Sequence, residues 1–196
     1  MHAFLATETA LQWLFLVPLC IAESFAIACA IYPELSANVP AALGFLTAPG
    51  AENIAITRPF QVGYVLMILG TCLRAAAYHE MGRHFTFQLA IRKDHKLVTT
   101  GVYSLVRHPS YTASYLWMVG SVLCQMGPGS LFAEAGLWGN TFGQVYGAIY
   151  AFLVVDMWYM VLVRTRVEDS VLHKEFKGQW EAWAAKTPYK LVPMLY

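Results

Sequence analysis

Residues 143–163 read GQVYGAIYAFLVVDMWYMVLV, an apolar run in which Asp156 is the single charge. A helix rises about 1.5 Å per residue, so roughly 20 predominantly apolar residues cross the hydrocarbon core of a bilayer. This stretch therefore predicts a membrane span, and three more runs of the same kind lie upstream. The first is Leu11 to Ile31, interrupted by Pro18 and Glu23; the second runs from Phe60 to about Met81 and carries Arg74 and Glu80. The third starts at Ser110 and reaches about Met126. A weaker segment, Leu131 to Leu137, follows the break Gly127-Pro128-Gly129 and would make a short or re-entrant helix. The expected fold is an all-α, multi-pass transmembrane helical bundle with four to five membrane elements.

Composition agrees. Of 196 residues, 58% are hydrophobic and 13% charged, against about 45–50% and about 25% in ordinary globular domains. The mean hydropathy is +0.48. Cys20, Cys29, Cys72 and Cys124 all lie in apolar stretches and form no C-x-x-C pair. They read as buried thiols rather than a zinc site or a disulfide framework, and no metal is expected. No cleavable signal peptide is expected either, because the first residues hold no Lys or Arg and no A-x-A-like site follows the first apolar run.

The net charge of +1 hides a strong segregation. Of the 13 basic residues, Arg83, Arg92, Lys93, Lys96 and Arg107 fall in 82–110. Arg164, Arg166, Lys174, Lys177, Lys186 and Lys190 fall in 164–196, which leaves only Arg58 and Arg74. Basic loops stay on the cytosolic side. Four spans then place both basic segments, and the amino terminus, in one compartment. Glu23, Arg74 and Asp156 inside spans cost a few kcal/mol each if they face lipid, so they are expected to face protein or an aqueous cavity. A Glu23–Arg74 pair is one way to satisfy two of them. Trp117, Trp158 and Tyr159 read as interface or packing residues.

Two segments hold the polar chemistry. In 82–111, GRHFTFQLAIRKDHKLVTTGVYSLVRHPSY, residues Phe85 to Leu89 would form a short extended piece and Thr99-Thr100-Gly101 a turn. Pro109 suits the first helical position of the third span, with His108 at or beside the cap. That helix end directs N–H groups and a partial positive charge outward, next to Arg107 and His108. It can serve as an anion site for a carboxylate or phosphate or simply as the positive anchor of the span, and charge alone does not choose. In the tail, Val171, Leu172, Phe176, Trp180 and Trp183 recur at helical spacing, which predicts an amphipathic helix on the membrane surface. Arg164 and Glu168 share a helix face beneath the fourth span, and Pro188 and Pro193 end the pattern. There is no G-x-G-x-x-G, P-loop, H-E-x-x-H or G-x-S-x-G, so a Rossmann domain and a serine hydrolase are not expected.

The run His95-Lys-Leu-Val98-x-x-Gly101-Val-Tyr103-x-x-x-Arg107-His108-Pro109-Ser-Tyr111 resembles the core motif of isoprenylcysteine carboxyl methyltransferases. The tail resembles that family too, through Arg164-x-x-x-Glu168-Asp169, Leu172, Phe176, Trp180, Trp183, Pro188 and Pro193. The similarity covers roughly residues 80–196. R-H-P-x-Y alone is shared with other membrane methyltransferases, including those of phospholipids. The stretch Gly82 to Leu89 and the run His95 to Gly101 are more similar to the prenylcysteine branch. Where that family has F-G-E-E-Y, this chain has Phe176-Lys177-Gly178-Gln179-Trp180, and its acidic run is shortened to Glu168-Asp169.

The resemblance implies methyl transfer from S-adenosylmethionine to the C-terminal carboxylate of a prenylated cysteine. It implies cofactor contacts from Gln88, His95, Leu97, Val98, Tyr103, His108, Pro109, Ser110, Tyr111 and Glu168. It assigns the substrate carboxylate to Arg164 and the chemistry to Arg164 and Glu168. It further implies a cytosolic cofactor loop, a core over 60–196 preceded by one helix and a non-cytosolic loop over 1–59, and prenylated protein C-termini and membrane lipids as partners, with no nucleic acid. The endoplasmic reticulum membrane is expected in a eukaryote and the plasma membrane in a prokaryote. Two other readings stay open: a phospholipid or small-amine methyltransferase, which would favour a base near the acceptor, and a non-catalytic scaffold for anionic lipids.

Overall fold

The computed structural model describes residues 2–37, 39–47, 49–82 and 96–195. Among them there is no strand, and the expected all-α, multi-pass architecture is borne out. The helices are α1 His2–Ile31, α2 Pro33–Ser36, α3 Arg58–Met81, α4 Pro109–Met126, α5 Leu131–Glu134, α6 Thr141–Phe176 and α7 Gly178–Lys186. Among the described residues, four segments are long and apolar enough to cross a membrane: Trp13–Ile31, Arg58–Met81, Pro109–Glu134 and Thr141–Phe176. This is a membrane protein. The extended piece expected over Phe85 to Leu89 lies outside the described residues.

The fourth helix departs from its expected end. The run of charges after Val163 suggests that the span stops there, yet α6 continues unbroken to Phe176 over 36 residues. Between Gly147 and Gly178 there is no glycine or proline to interrupt it, and charged side chains on a helix disturb solvation rather than backbone geometry. At about 1.5 Å per residue, α6 is about 54 Å long, well beyond a hydrocarbon core of about 30 Å. The break comes at Lys177, which takes φ 44°, and α7 starts at Gly178. The single tail helix expected from the spacing is therefore two, with Phe176 on α6 and Trp180 and Trp183 on α7.

The chain divides into two compact units. The first comprises 1–65 and 119–156. Here Leu131 to Leu137 forms the single turn α5 and a short 3-10 turn, too short for a fifth span. Leu131 and Phe132 are fully buried, packing with Leu19, Ala26 and Leu46. The backbone of this turn is satisfied by carboxylates. Leu131 N–H donates to Glu23 Oε1 at 3.0 Å and Gly129 N–H to Glu134 Oε1 at 2.8 Å. Glu23, costly in an apolar helix, thus serves as an acceptor for a buried donor.

The second unit comprises 66–118 and 157–196. Arg74 donates from Nε to the Tyr78 hydroxyl at 2.6 Å and from Nη1 to Ser114 Oγ at 3.0 Å. The suggested Glu23–Arg74 pair is thereby replaced by separate partners for each residue. Close approach of α3 and α4 needs Gly70, where an added Cβ would lie 2.7 Å from the Ala113 carbonyl oxygen. Gly70→Leu is expected to destabilise the protein by about 1–3 kcal/mol, the usual scale of overpacking. Gly139→Ala, where a Cβ meets nothing within 4 Å, should leave thermal unfolding in detergent unchanged; equal melting shifts for the two variants would contradict this packing.

Candidate functional site

Helix α4 starts where its sequence says it should. Pro109, fully buried, occupies the first helical position, where a missing N–H leaves no bond unmade. The His108 carbonyl accepts the first amides, from Tyr111 at 3.0 Å and Thr112 at 3.1 Å. The two residues before the helix are held by the tail. Arg107 N–H donates to the Tyr189 carbonyl and His108 N–H to that of Lys190, both at 2.9 Å. Around this ladder, Thr112 Oγ1 donates to the Leu191 carbonyl at 2.6 Å and Thr187 Oγ1 to that of Ser104 at 3.3 Å.

The side chains of Arg107 and His108 also turn to the chain itself. Arg107 Nη2 lies 3.3 Å from Asp169 Oδ2, and His108 Nε2 lies 3.0 Å from Asp169 Oδ1. Lys190 Nζ is 3.4 Å from the same Oδ2. Arg107 and His108 are only 9% and 4% exposed, so these are buried, charge-assisted contacts rather than surface pairs. The anion beside these two basic residues, left open by the sequence, is Asp169.

The neighbouring carboxylate points elsewhere. Glu168 Oε2 accepts from the Tyr111 hydroxyl at 2.9 Å and lies 3.9 Å from His108 Nδ1. His108 and Tyr111 stack with ring centroids 5.7 Å apart. Arg164, one turn before Glu168, sets its guanidinium carbon 5.8 Å from the Tyr111 ring centre. Consecutive acidic residues on α6 thus address opposite nitrogens of one imidazole, because adjacent positions on a helix diverge by about 100°.

The 96–104 segment supplies an apolar wall. Leu97 and Val98 pack against the cluster of Ala77, Tyr103 and Trp183, which Trp180 also joins. Trp183 Nε1 donates to the Tyr103 carbonyl at 3.1 Å. The tail tryptophan expected at a membrane surface is thus buried against the protein. Thr100 Oγ1 donates to Glu80 Oε2 at 3.1 Å. Gly101 follows with φ 56°, and a Cβ there would collide with the Glu80 carboxylate. Burial pushes the Tyr103 hydroxyl above its ordinary pKa, with the charges of Glu168, Tyr78 and Glu80 adding to it. Tyr103 therefore stays protonated at neutral pH. The indole N–H of Trp180 is buried without a hydrogen-bond partner among the described residues.

Nine of the expected site residues lie in this unit: Leu97, Val98, Tyr103, His108, Pro109, Ser110, Tyr111, Arg164 and Glu168. Ser110 turns its carbonyl to Ser114 Oγ at 3.2 Å. Gln88 and His95 lie outside the described residues. The residues that sequence reasoning left unassigned are Asp169, Lys190, Thr187 and Trp180. Asp169 stood beside Glu168 in the acidic pair, which was the one available signal.

Residues 63–136 match a family model. That model describes the isoprenylcysteine carboxyl methyltransferase family, and it matches less than half of the chain. The matched interval carries 97–111 and ends before the acidic turn of α6, so it spans one half of the site. The chain also resembles parts of curated relatives. The chain is 34% identical over 128 residues to protein-S-isoprenylcysteine O-methyltransferase B of Arabidopsis thaliana, covering 64% of this chain and 55% of that protein. It is 33% identical over 121 residues to the Saccharomyces cerevisiae protein-S-isoprenylcysteine O-methyltransferase, covering 61% and 43%. The mouse protein of that name is 31% identical over 128 residues, covering 64% and 38%. The chain thus spans about half the length of the curated relatives it matches, or less.

Within this unit, Trp183→Phe keeps the packing but leaves the Tyr103 carbonyl unpaired. A loss of about 1–3 kcal/mol is expected, read as a lower melting temperature in detergent. An unchanged melting temperature would show that this bond does not hold the 97–104 wall in place.

Proposed function

We propose that the protein transfers a methyl group from S-adenosylmethionine to the C-terminal carboxylate of a prenylated cysteine. The observation that carries this reading is the Tyr111–Glu168 hydrogen bond of 2.9 Å with Arg164 against the same tyrosine ring. It joins the 107–111 motif to the Arg164–Glu168 pair, so one locus offers a cation for an anionic acceptor and an anion for a cationic donor.

The residues present fit S-adenosylmethionine, which combines positive charge, a carboxylate and an adenine ring. Glu168 is a partly exposed carboxylate for the cationic part. Tyr103, held protonated, and the Trp180 indole N–H, without a hydrogen-bond partner among the described residues, are hydrogen-bond donors. Leu97 and Val98 offer an apolar face. His108, Pro109, Ser110 and Tyr111 would line the remainder, and the family resemblance adds Gln88 and His95. When bound, S-adenosylmethionine supplies an electrophilic methyl group on a positively charged sulfur.

The residues then have separate tasks. A C-terminal carboxylate, with a reference pKa of about 3.3–3.7, is already ionised at neutral pH, so no general base is required. Arg164 holds it through a planar fork. That grip must stay modest, because negative charge leaves the carboxylate as the methyl arrives. Glu168, steadied by the Tyr111 hydroxyl, supports positive charge at the donor. Catalysis is mainly positioning. Residues 60–196 form the catalytic core, with both basic segments in the cytosol and the prenyl chain entering from the bilayer. The membrane is that of the endoplasmic reticulum in a eukaryote.

The test is methyl transfer by the purified full chain in liposomes, from labelled S-adenosylmethionine to N-acetyl-farnesylcysteine or phosphatidylethanolamine. Base-labile label on the prenylcysteine is expected; label confined to the lipid would overturn the substrate assignment. Arg164→Ala should lower carboxylate methylation by about 100-fold with S-adenosylhomocysteine binding largely kept, whereas His108→Ala should weaken that binding about tenfold. Equal loss of methylation and binding in Arg164→Ala, or unchanged binding in His108→Ala, would remove the role given to that residue.

A further inference from the structure

His108 sits between two carboxylates, and the two contacts differ in kind. Its Nε2 is 3.0 Å from Asp169 Oδ1, a hydrogen bond, whereas its Nδ1 is 3.9 Å from Glu168 Oε2, too long for one. A carboxylate flanked by Arg107 and Lys190 is ionised and can only accept. The hydrogen bond to Asp169 therefore requires a proton on Nε2, in either charge state of the ring. Nδ1 is the nitrogen left facing Glu168 and the Tyr111 ring.

The same carboxylate holds the tail. Oδ2 is shared by Arg107 and Lys190, while the backbone ladder joins 107–108 to 189–190 and Arg107 Nη1 donates to the Thr187 carbonyl at 3.3 Å. Asp169 is only 7% exposed. One buried anion thus fixes the ring orientation of His108 and fastens residues 187–191 across the start of α4.

We propose that Asp169 is a positioning residue of this site: it holds the Nε2 proton of His108, so that the imidazole presents Nδ1 toward Glu168. Which atom the ring offers at the site is set from the side away from Glu168. Asp169→Asn would keep the shape and reverse the chemistry. An amide N–H₂ can donate to a bare Nε2, which moves the ring proton to Nδ1 and changes an acceptor into a donor at the site. This inference rests on the methyltransferase reading only for its catalytic consequence; the tautomer itself does not depend on it.

The experiment is nitrogen-15 NMR of the full-length protein in detergent, labelled at the histidine rings and assigned with His108→Gln. The wild type should show His108 protonated at Nε2, and a proton held on Nδ1 alone in the neutral ring would overturn the proposal without any variant. In Asp169→Asn the proton should move to Nδ1. Binding of S-adenosylhomocysteine by that variant should weaken by about 10- to 100-fold, the scale of a hydrogen bond to a charged group. A tautomer and a dissociation constant both unchanged in Asp169→Asn would also overturn it. If the wild type binds no S-adenosylhomocysteine and methylates no prenylcysteine, the functional reading fails while the NMR result still decides the role of Asp169.

Discussion

The site hangs on a buried carboxylate that three basic side chains share. Asp169 draws Arg107, His108 and Lys190 together from the start of α4 and the end of the chain. Taking Arg107, His108 and Asp169 out of water carries a heavy desolvation cost, which close contacts and hydrogen bonds must offset. Here they do so in an orderly way, with one oxygen for the imidazole and the other for the guanidinium and ammonium. Removing one member of such a cluster strands the rest, at about 3–5 kcal/mol. The backbone ladder between 107–108 and 189–190 follows from the same meeting of segments.

That arrangement leaves Glu168 a hydrogen-bond partner of its own. Asp169 takes Arg107, Lys190 and His108 Nε2, while Glu168 accepts from the Tyr111 hydroxyl, faces His108 Nδ1 at 3.9 Å and remains partly exposed. Adjacent acidic residues on one helix turn therefore take different partners, Asp169 the three basic side chains and Glu168 the Tyr111 hydroxyl. The length of α6 makes this possible. Because the helix runs on past its apolar portion to Phe176, its final turns carry Arg164, Glu168 and Asp169 beyond that apolar portion.

Much of this was legible in the chain. Span positions follow from length and hydropathy, which are local properties, and Pro109 marked the start of α4 because proline tolerates the first helical position. The Arg164–Glu168 spacing was equally local. Four features were not legible. The course of α6 past Val163 was obscured because charges signal the end of an apolar run, not of a helix. The turn at Leu131 was ambiguous because its stability comes from Glu23, 108 residues away. Asp169 was missed because its partners lie 62 residues before it, at Arg107, and in the tail, at Lys190. No periodicity reports a pairing of that kind. The tail tryptophans had the right spacing, but only the fold shows Trp183 against Tyr103 rather than lipid.

The direct test of this arrangement is hydrogen–deuterium exchange of the full chain in lipid nanodiscs, with and without S-adenosylhomocysteine. If Asp169 and the ladder bind the two segments into one ligand-holding unit, the ligand should slow exchange in 103–112 and in 187–191 together. Protection of 103–112 with 187–191 unchanged, or protection of neither segment, would contradict it.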